Sequence, residues 1–265
     1  MMNNSIGTVE GLPDSSPLIN QITLDHPWRW IAAGWQDIKK ASTISLTYGL
    51  LFVISSFLLS GLLLAMGMFF FIPALMAGFF LISPLLAMGL YETSRLLGNR
   101  ETPQFLQTFF VWRRTPFNLL VMGLVLMMGF LIWMLLSNVV FALFFFGITP
   151  DFENALNVLF FSGDSPAFMG AGILVGSVVA LAVFSISVVS VPMIIDRNLD
   201  TMSAIAISTR CVLNNPKPLL LWAALIVMFV GIGMFTFFLG LIIFMPLVGH
   251  ASWHAYKDLV KTESL

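Results

Sequence analysis

His250 and His254 stand four residues apart near the C-terminus, a spacing that puts two imidazoles on one helix face and within reach of a single ion. Pro246 lies just upstream, and a Pro-anchored pattern recurs earlier in the chain. Ser83-Pro84-Leu85-Leu86-Ala87-Met88-Gly89-Leu90-Tyr91 and Met245-Pro246-Leu247-Val248-Gly249-His250-Ala251-Ser252-Trp253 each carry a Pro, small residues after it and an aromatic seven positions past it. Val191-Pro192-Met193-Ile194-Ile195 is a weaker match. In this register Glu92, Asp200 and His254 occupy the same place after their prolines. Together with His250 they are the candidate metal ligands, converging at one mouth of a helix bundle. The plainer reading leaves each of them hydrated at headgroup level.

Other chemistry is absent from the pattern. No glycine-rich phosphate loop, Ser–His–Asp arrangement or HExxH motif is evident, and the single Cys211 can form neither an internal disulfide nor a Cys-based metal site. Asp196, Arg197 and Asp200 read as a helix cap and a solvated connection. The expectation is no catalytic residue, no cofactor and no enzyme.

The elements that must position these residues follow from composition. Of 265 residues, 58% are hydrophobic and 9% charged, whereas a soluble domain carries roughly 25% charged residues. Such a chain is a polytopic membrane protein. Its net charge of −1 gives no basis for nucleic-acid binding. Stretches without a charged side chain cover 41–91, 115–150, 165–195 and 218–256. A helix needs about 20 apolar residues to cross the bilayer, so the pattern predicts spans at 46–66, 69–91, 117–146 and 167–192, the first two turning around Met66-Gly67-Met68 with Pro73 just inside the second. Two shorter spans within 218–256 would turn near Gly231-Ile232-Gly233. The polar segment 1–27 reads as a disordered tail, and 28–262 as a single six-span domain.

With six spans, all 12 Lys and Arg fall on the side that carries both termini, while the far loop 147–166 holds Asp151, Glu153 and Asp164 and no basic residue. Basic loops stay cytoplasmic, which predicts that both ends lie inside. The predicted hydrocarbon region contains no Asp, Glu, Lys or Arg, against the usual design of an ion-coupled transporter.

Each pair of spans is preceded by a segment of helical period. Trp28, Ile31, Trp35 and Ile38 form the first stripe, capped by Asp25 with Pro27 in the first turn. Phe105, Phe109 and Trp112 form the second, starting at Thr102-Pro103 and ending in Arg113-Arg114. Met202, Ile205, Thr209 and Val212 form the third, capped by Asp200. Trp28, Trp35, Trp112, Arg113 and Arg114 are the expected anchors in the headgroup plane; the alternative is a connecting helix packed on the bundle. Gly172, Gly176 and Ala180 recur every four residues, a stripe that lets helix backbones approach, within the bundle or between subunits. The fold expected is therefore an all-α membrane bundle of six spans, arranged as three hairpin repeats over 28–97, 102–199 and 200–262.

Gly34-Trp35-Gln36-Asp37-Ile38, Ser45-Leu46-Thr47-Tyr48-Gly49, Ser190-Val191-Pro192-Met193 with Asp196-Arg197, and Gly249-His250-Ala251-Ser252-Trp253-His254-Ala255-Tyr256 carry a resemblance. The chain resembles an uncharacterised family of predicted bacterial integral membrane proteins found in proteobacteria. That resemblance implies a six-helix inner-membrane protein and supplies no activity. The lipid bilayer is the expected partner, with other membrane proteins reached through helix packing. The function expected is a non-catalytic scaffold or assembly factor. The rivals are a transporter or channel for a small or apolar solute and, more distantly, a metal- or haem-binding module.

Overall fold

A computed structural model describes residues 19–68, 71–144 and 165–261, and the chain there is almost wholly helical from His26 onward. Pro27 occupies the first turn of α1 (His26–Lys40), where an N–H would lack a partner in any case. The Asp25 side chain does not cap this helix; the Thr23 N–H instead donates to His26 Nδ1 at 3.0 Å. A one-residue break at Ala41 leads into α2 (Ser42–Ala65), and Gly67, in the left-handed region at φ 71°, makes the expected turn. Helix α3 (Ile72–Leu86) begins with Pro73 in its first turn and is interrupted at Ala87 before α4 (Met88–Gly98). Pro84 has no N–H to offer the Phe80 carbonyl, and the Ser83 hydroxyl donates to that carbonyl at 3.0 Å instead.

The second amphipathic segment is shorter than its periodicity suggests. It is a five-residue helix, α5 (Phe105–Phe109), with Gln104 rather than Thr102 at its cap, followed by a 3₁₀ turn over Val111–Arg113. Beyond it lie α6 (Pro116–Phe144), α7 (Ser165–Ser187) and α8 (Ser190–Arg197), the last ending at Asn198 in the left-handed conformation. Asp200 caps α9 (Thr201–Asn214) as expected, accepting from the Ser203 N–H at 2.9 Å.

Helices α10 (Pro216–Phe235) and α11 (Leu241–Leu259) form the last hairpin. The chain does not turn at Gly231-Ile232-Gly233. It stays helical to Phe235 and reverses over Thr236–Gly240, with Phe237 and Phe238 both at positive φ. Gly233 instead lets the returning chain close in, since a Cβ there would meet Leu241 N at 3.1 Å.

Five helical stretches among the described residues are long and apolar enough to cross a membrane: Ser42–Ala65, Ile72–Gly98, Pro116–Phe144, Pro166–Arg197 and Pro216–Phe235. The protein is a polytopic helical membrane protein. Helix α11 falls short on apolarity because it carries His250, His254, Lys257 and Asp258. It is nonetheless the most enclosed helix, buried from Met245 to Trp253 without interruption. Its neighbours α1, α2, α4 and α10 are protein, so it has no need of lipid-compatible side chains. The contrast is α6, whose Phe117, Leu120, Leu124, Met128 and Leu135 stand exposed along a face suited to acyl chains.

Residues 19–27, read from the sequence as part of a disordered tail, belong to the folded domain. Ile19 bridges Val260, Asn20 Nδ2 donates to the Asp258 carbonyl, and the Ile22 N–H donates to Asn215 Oδ1. Residues 1–18 and the acidic loop with Asp151, Glu153 and Asp164 lie outside the described residues.

Candidate functional site

Trp30, Gly34 and Asp37 follow one another at i, i+4 and i+7 and so share the face of α1 that packs on α11. Gly34 makes the approach possible. A Cβ at this position would stand 2.8 Å from Ala251 N and 3.0 Å from the Leu247 carbonyl oxygen. Gly49 does the same for α2, where a Cβ would collide with the carbonyl of Ile242. Two backbone-to-backbone contacts therefore clamp α11 between α1 and α2, and α4 closes the third side.

The clamp brings five polar side chains together. Ser94 Oγ donates to Asp37 Oδ2 at 2.7 Å and lies 2.7 Å from His250 Nδ1. His254 Nε2 is 2.8 Å from the same Asp37 oxygen, and Ser45 Oγ is 2.9 Å from His250 Nε2. A hydroxyl has one proton, so Ser94, which gives its own to Asp37, must accept from His250 Nδ1–H. His250 Nε2 is then bare and accepts the Ser45 proton. All the protons point toward an ionised Asp37. Burial pushes the Asp37 carboxyl up, but hydrogen bonds from His254 and Ser94 outweigh it and hold the group below its ordinary value of 3.8.

A nucleophile–base pair has this same Ser–His geometry. Ser45 is fully buried, however, so its hydroxyl is beyond the reach of a substrate. The network satisfies polar groups that α11 carries into the interior.

A second set seals the adjoining end. Glu92, completely buried, receives Arg95 Nε at 2.7 Å and Arg114 Nη1 at 2.9 Å. Tyr256 OH donates to Asp196 Oδ2 at 2.8 Å and accepts from Arg197 Nε at 2.9 Å, while Trp30 Nε1 donates to Asp258 Oδ2 at 2.7 Å.

The four candidate ligands do not converge. His250 and His254 share one network, Glu92 is held by two arginines, and Asp200 caps α9 at the surface. The Asp200 carboxyl is held below its ordinary value by hydrogen bonding to Ser203. Among the described residues no group of three or more His, Cys, Asp or Glu is placed to hold a metal.

Trp28, Trp35 and Trp112 are exposed, with Lys39 Nζ lying over the Trp35 ring and the Arg113 guanidinium 4.2 Å from the centre of Phe110. Arg114 is not an anchor of this kind; it belongs to Glu92. In the small-residue stripe a Cβ at Gly172 would meet open space, and one at Gly176 would meet only the Trp133 ring at 3.1 Å. Among the described residues, neither glycine of the stripe meets the backbone of another helix. Sequence reasoning missed Asp37, Ser94 and Ser45. For Asp37 a signal existed in its phase with Trp30 and Gly34, and Asp37 and Ser45 both stand in motifs that carry the resemblance; for Ser94 there was none.

On the other side of α11 lies a chamber of about 490 Å³, walled by α3 and the start of α4, α7, α10 and α11. Its lining includes the helix interruptions at Ala87 and Val188, and the small residues Ala87, Ala180, Ala223, Ala224 and Gly249 leave the walls thin.

No curated protein and no solved structure matches the chain. The motifs at its two ends, around Gly34 and around His250, fall outside the stretch that a family model recognises; Ser190-Val191-Pro192-Met193 and Asp196 fall within it. Residues 71–196, a little under half of the chain and running from the start of α3 almost to the end of α8, match the family described as "Predicted integral membrane protein (DUF2189)".

Proposed function

We propose that this is a six-span inner-membrane protein with both termini in the cytoplasm, built as three hairpin repeats and acting as a non-catalytic scaffold or assembly component. In this reading α11 is the sixth span. Its hairpin is shallow: the α10–α11 turn meets α2 at Phe57, whose ring lies 5.6 Å from that of Phe238, about 12 Å short of the end of α2 at Ala65. The charge pattern supports the orientation, since the cationic side chains cluster at the end where Arg197 also reaches the Lys261 carbonyl.

The observation that carries the scaffold reading is the use made of buried ionisable groups. Asp37, Glu92 and His250 are the buried Asp, Glu and His among the described residues, and each pairs with a residue from another segment of the chain. None of these three lines the chamber. Such a body holds a shape and presents Trp28, Trp35 and Trp112 at its rim.

The test is purification in mild detergent after cross-linking in the membrane. A scaffold yields a defined membrane-protein complex that Trp28→Ser with Trp35→Ser releases while the variant stays folded. An uncomplexed chain that carries solute into proteoliposomes sinks the reading. That outcome would favour the second one, a facilitator for a small apolar solute, for which the chamber speaks. Reporter fusions placing residue 156 in the cytoplasm would overturn the topology.

A further inference from the structure

We propose that the chamber between α3, α7, α10 and α11 is a binding site for one acyl chain of a membrane phospholipid. The inference is independent of the scaffold reading. The lining is predominantly apolar, and three of its five hydroxyls, those of Ser83, Ser187 and Ser252, donate to the carbonyls of Phe80, Val183 and Val248 in their own helices. The chamber therefore offers those hydroxyls to no polar ligand. An apolar space of this kind does not hold water, and one of about 150 Å³ already accepts a benzene-sized guest. At about 490 Å³ this chamber has room for a guest several times larger.

The mouth points to the source of the guest. Leu181 on α7 and Leu220, Val227 and Met228 on α10 line the chamber and are also exposed on the outer surface. Both helices are spans by length and composition. The opening between them thus faces the hydrocarbon of the bilayer rather than water, and the abundant flexible apolar solute there is the phospholipid acyl chain. Tyr91 and Ser252 mark the end of the lining nearest the network of His250 and Ser94. The chain enters sideways and is stopped at that end.

The experiment uses a phosphatidylethanolamine with a photoactivatable long acyl chain, added to the full-length protein in nanodiscs, followed by peptide mapping. The expected result is labelling at Ala180, Leu181, Ala224 and Val227 that excess unlabelled phospholipid abolishes, against non-saturable labelling on the outer face of α6. Ala180→Phe with Ala224→Phe should lower chamber labelling about tenfold and leave α6 labelling and the melting temperature unchanged. Should that variant not fold, the competition with the wild-type protein decides alone. Labelling that is no stronger in the chamber than on α6, or that does not saturate, overturns the proposal. So does competition by free fatty acid but not by phospholipid, which would transfer the site to a different ligand.

Discussion

Asp37 and His254, 217 residues apart in sequence, meet at 2.8 Å across the contact of α1 with α11. The same carboxylate oxygen takes the Ser94 proton, so a single acid ties three helices together. Asp37→Asn keeps a carbonyl oxygen for Ser94 but removes the charge. Hydrogen bonds to charged groups contribute about 2 kcal/mol, and thermal unfolding in detergent should show a loss of that order.

The pH dependence follows from the same group. Because the Asp37 carboxyl is held below its ordinary value of 3.8, its contribution is fully present above 3.8 and is lost as the pH falls through the lower folded value. Melting curves taken downward from neutral pH should fall more steeply for the wild type than for Asp37→Asn in that acid window. Parallel curves would remove Asp37 from the account.

Gly49 and Gly172 make opposite predictions from the same substitution. Gly49→Ala drives a Cβ into the Ile242 carbonyl, which is backbone and cannot step aside, and overpacking of this sort costs about 1–3 kcal/mol. Gly172→Ala meets open space and should be neutral, or stabilising by up to about 1 kcal/mol from helix propensity. Equal effects in a denaturation series would mean that α2 does not clamp α11.

Glu92 and Arg114 form an unequal pair. The Glu92 side chain is wholly enclosed, whereas that of Arg114 is 42% exposed. Glu92→Ala leaves two arginines without their counter-ion and should cost about 3 kcal/mol or more. Arg114→Ala leaves the Arg95 contact in place and gives up a solvent-screened pair of about 1 kcal/mol or less. Stability measurements on both variants check the order, and a reversed order would contradict the burial of Glu92.

Cys211 lies fully buried in α9, where burial pushes its thiol up to about 12. Neither thiolate nor access is provided at neutral pH. The folded protein should resist maleimide and react only once unfolded, which makes the wild-type chain a silent background for introduced cysteines. Prompt labelling of the native protein would place Cys211 elsewhere.

Much of the bundle was legible because apolar runs and turn residues act locally. Pro27 and Pro73 start helices, Gly67 turns the first hairpin and Asp200 caps α9, each through the backbone groups beside it. The final turn was misplaced because glycines at 231 and 233 look like a reversal. In the fold Gly233 serves close packing inside a helix that runs on to Phe235. The Thr102-Pro103 start failed for a related reason, since the segment between α4 and α6 is held by Phe105 against Tyr48 rather than by its own cap.

The sequence by itself determined that the protein lives in a membrane, which stretches are apolar enough to cross it and at which ends its cations gather, because these depend only on transfer from water to lipid. The tertiary structure alone decided that His250 and His254 answer to Asp37 and Ser94, that Glu92 belongs to Arg95 and Arg114, and that the least apolar long helix stands at the centre. Those outcomes depend on which backbones can touch, and at Gly34 and Gly49 the missing side chains let two helices close on a third.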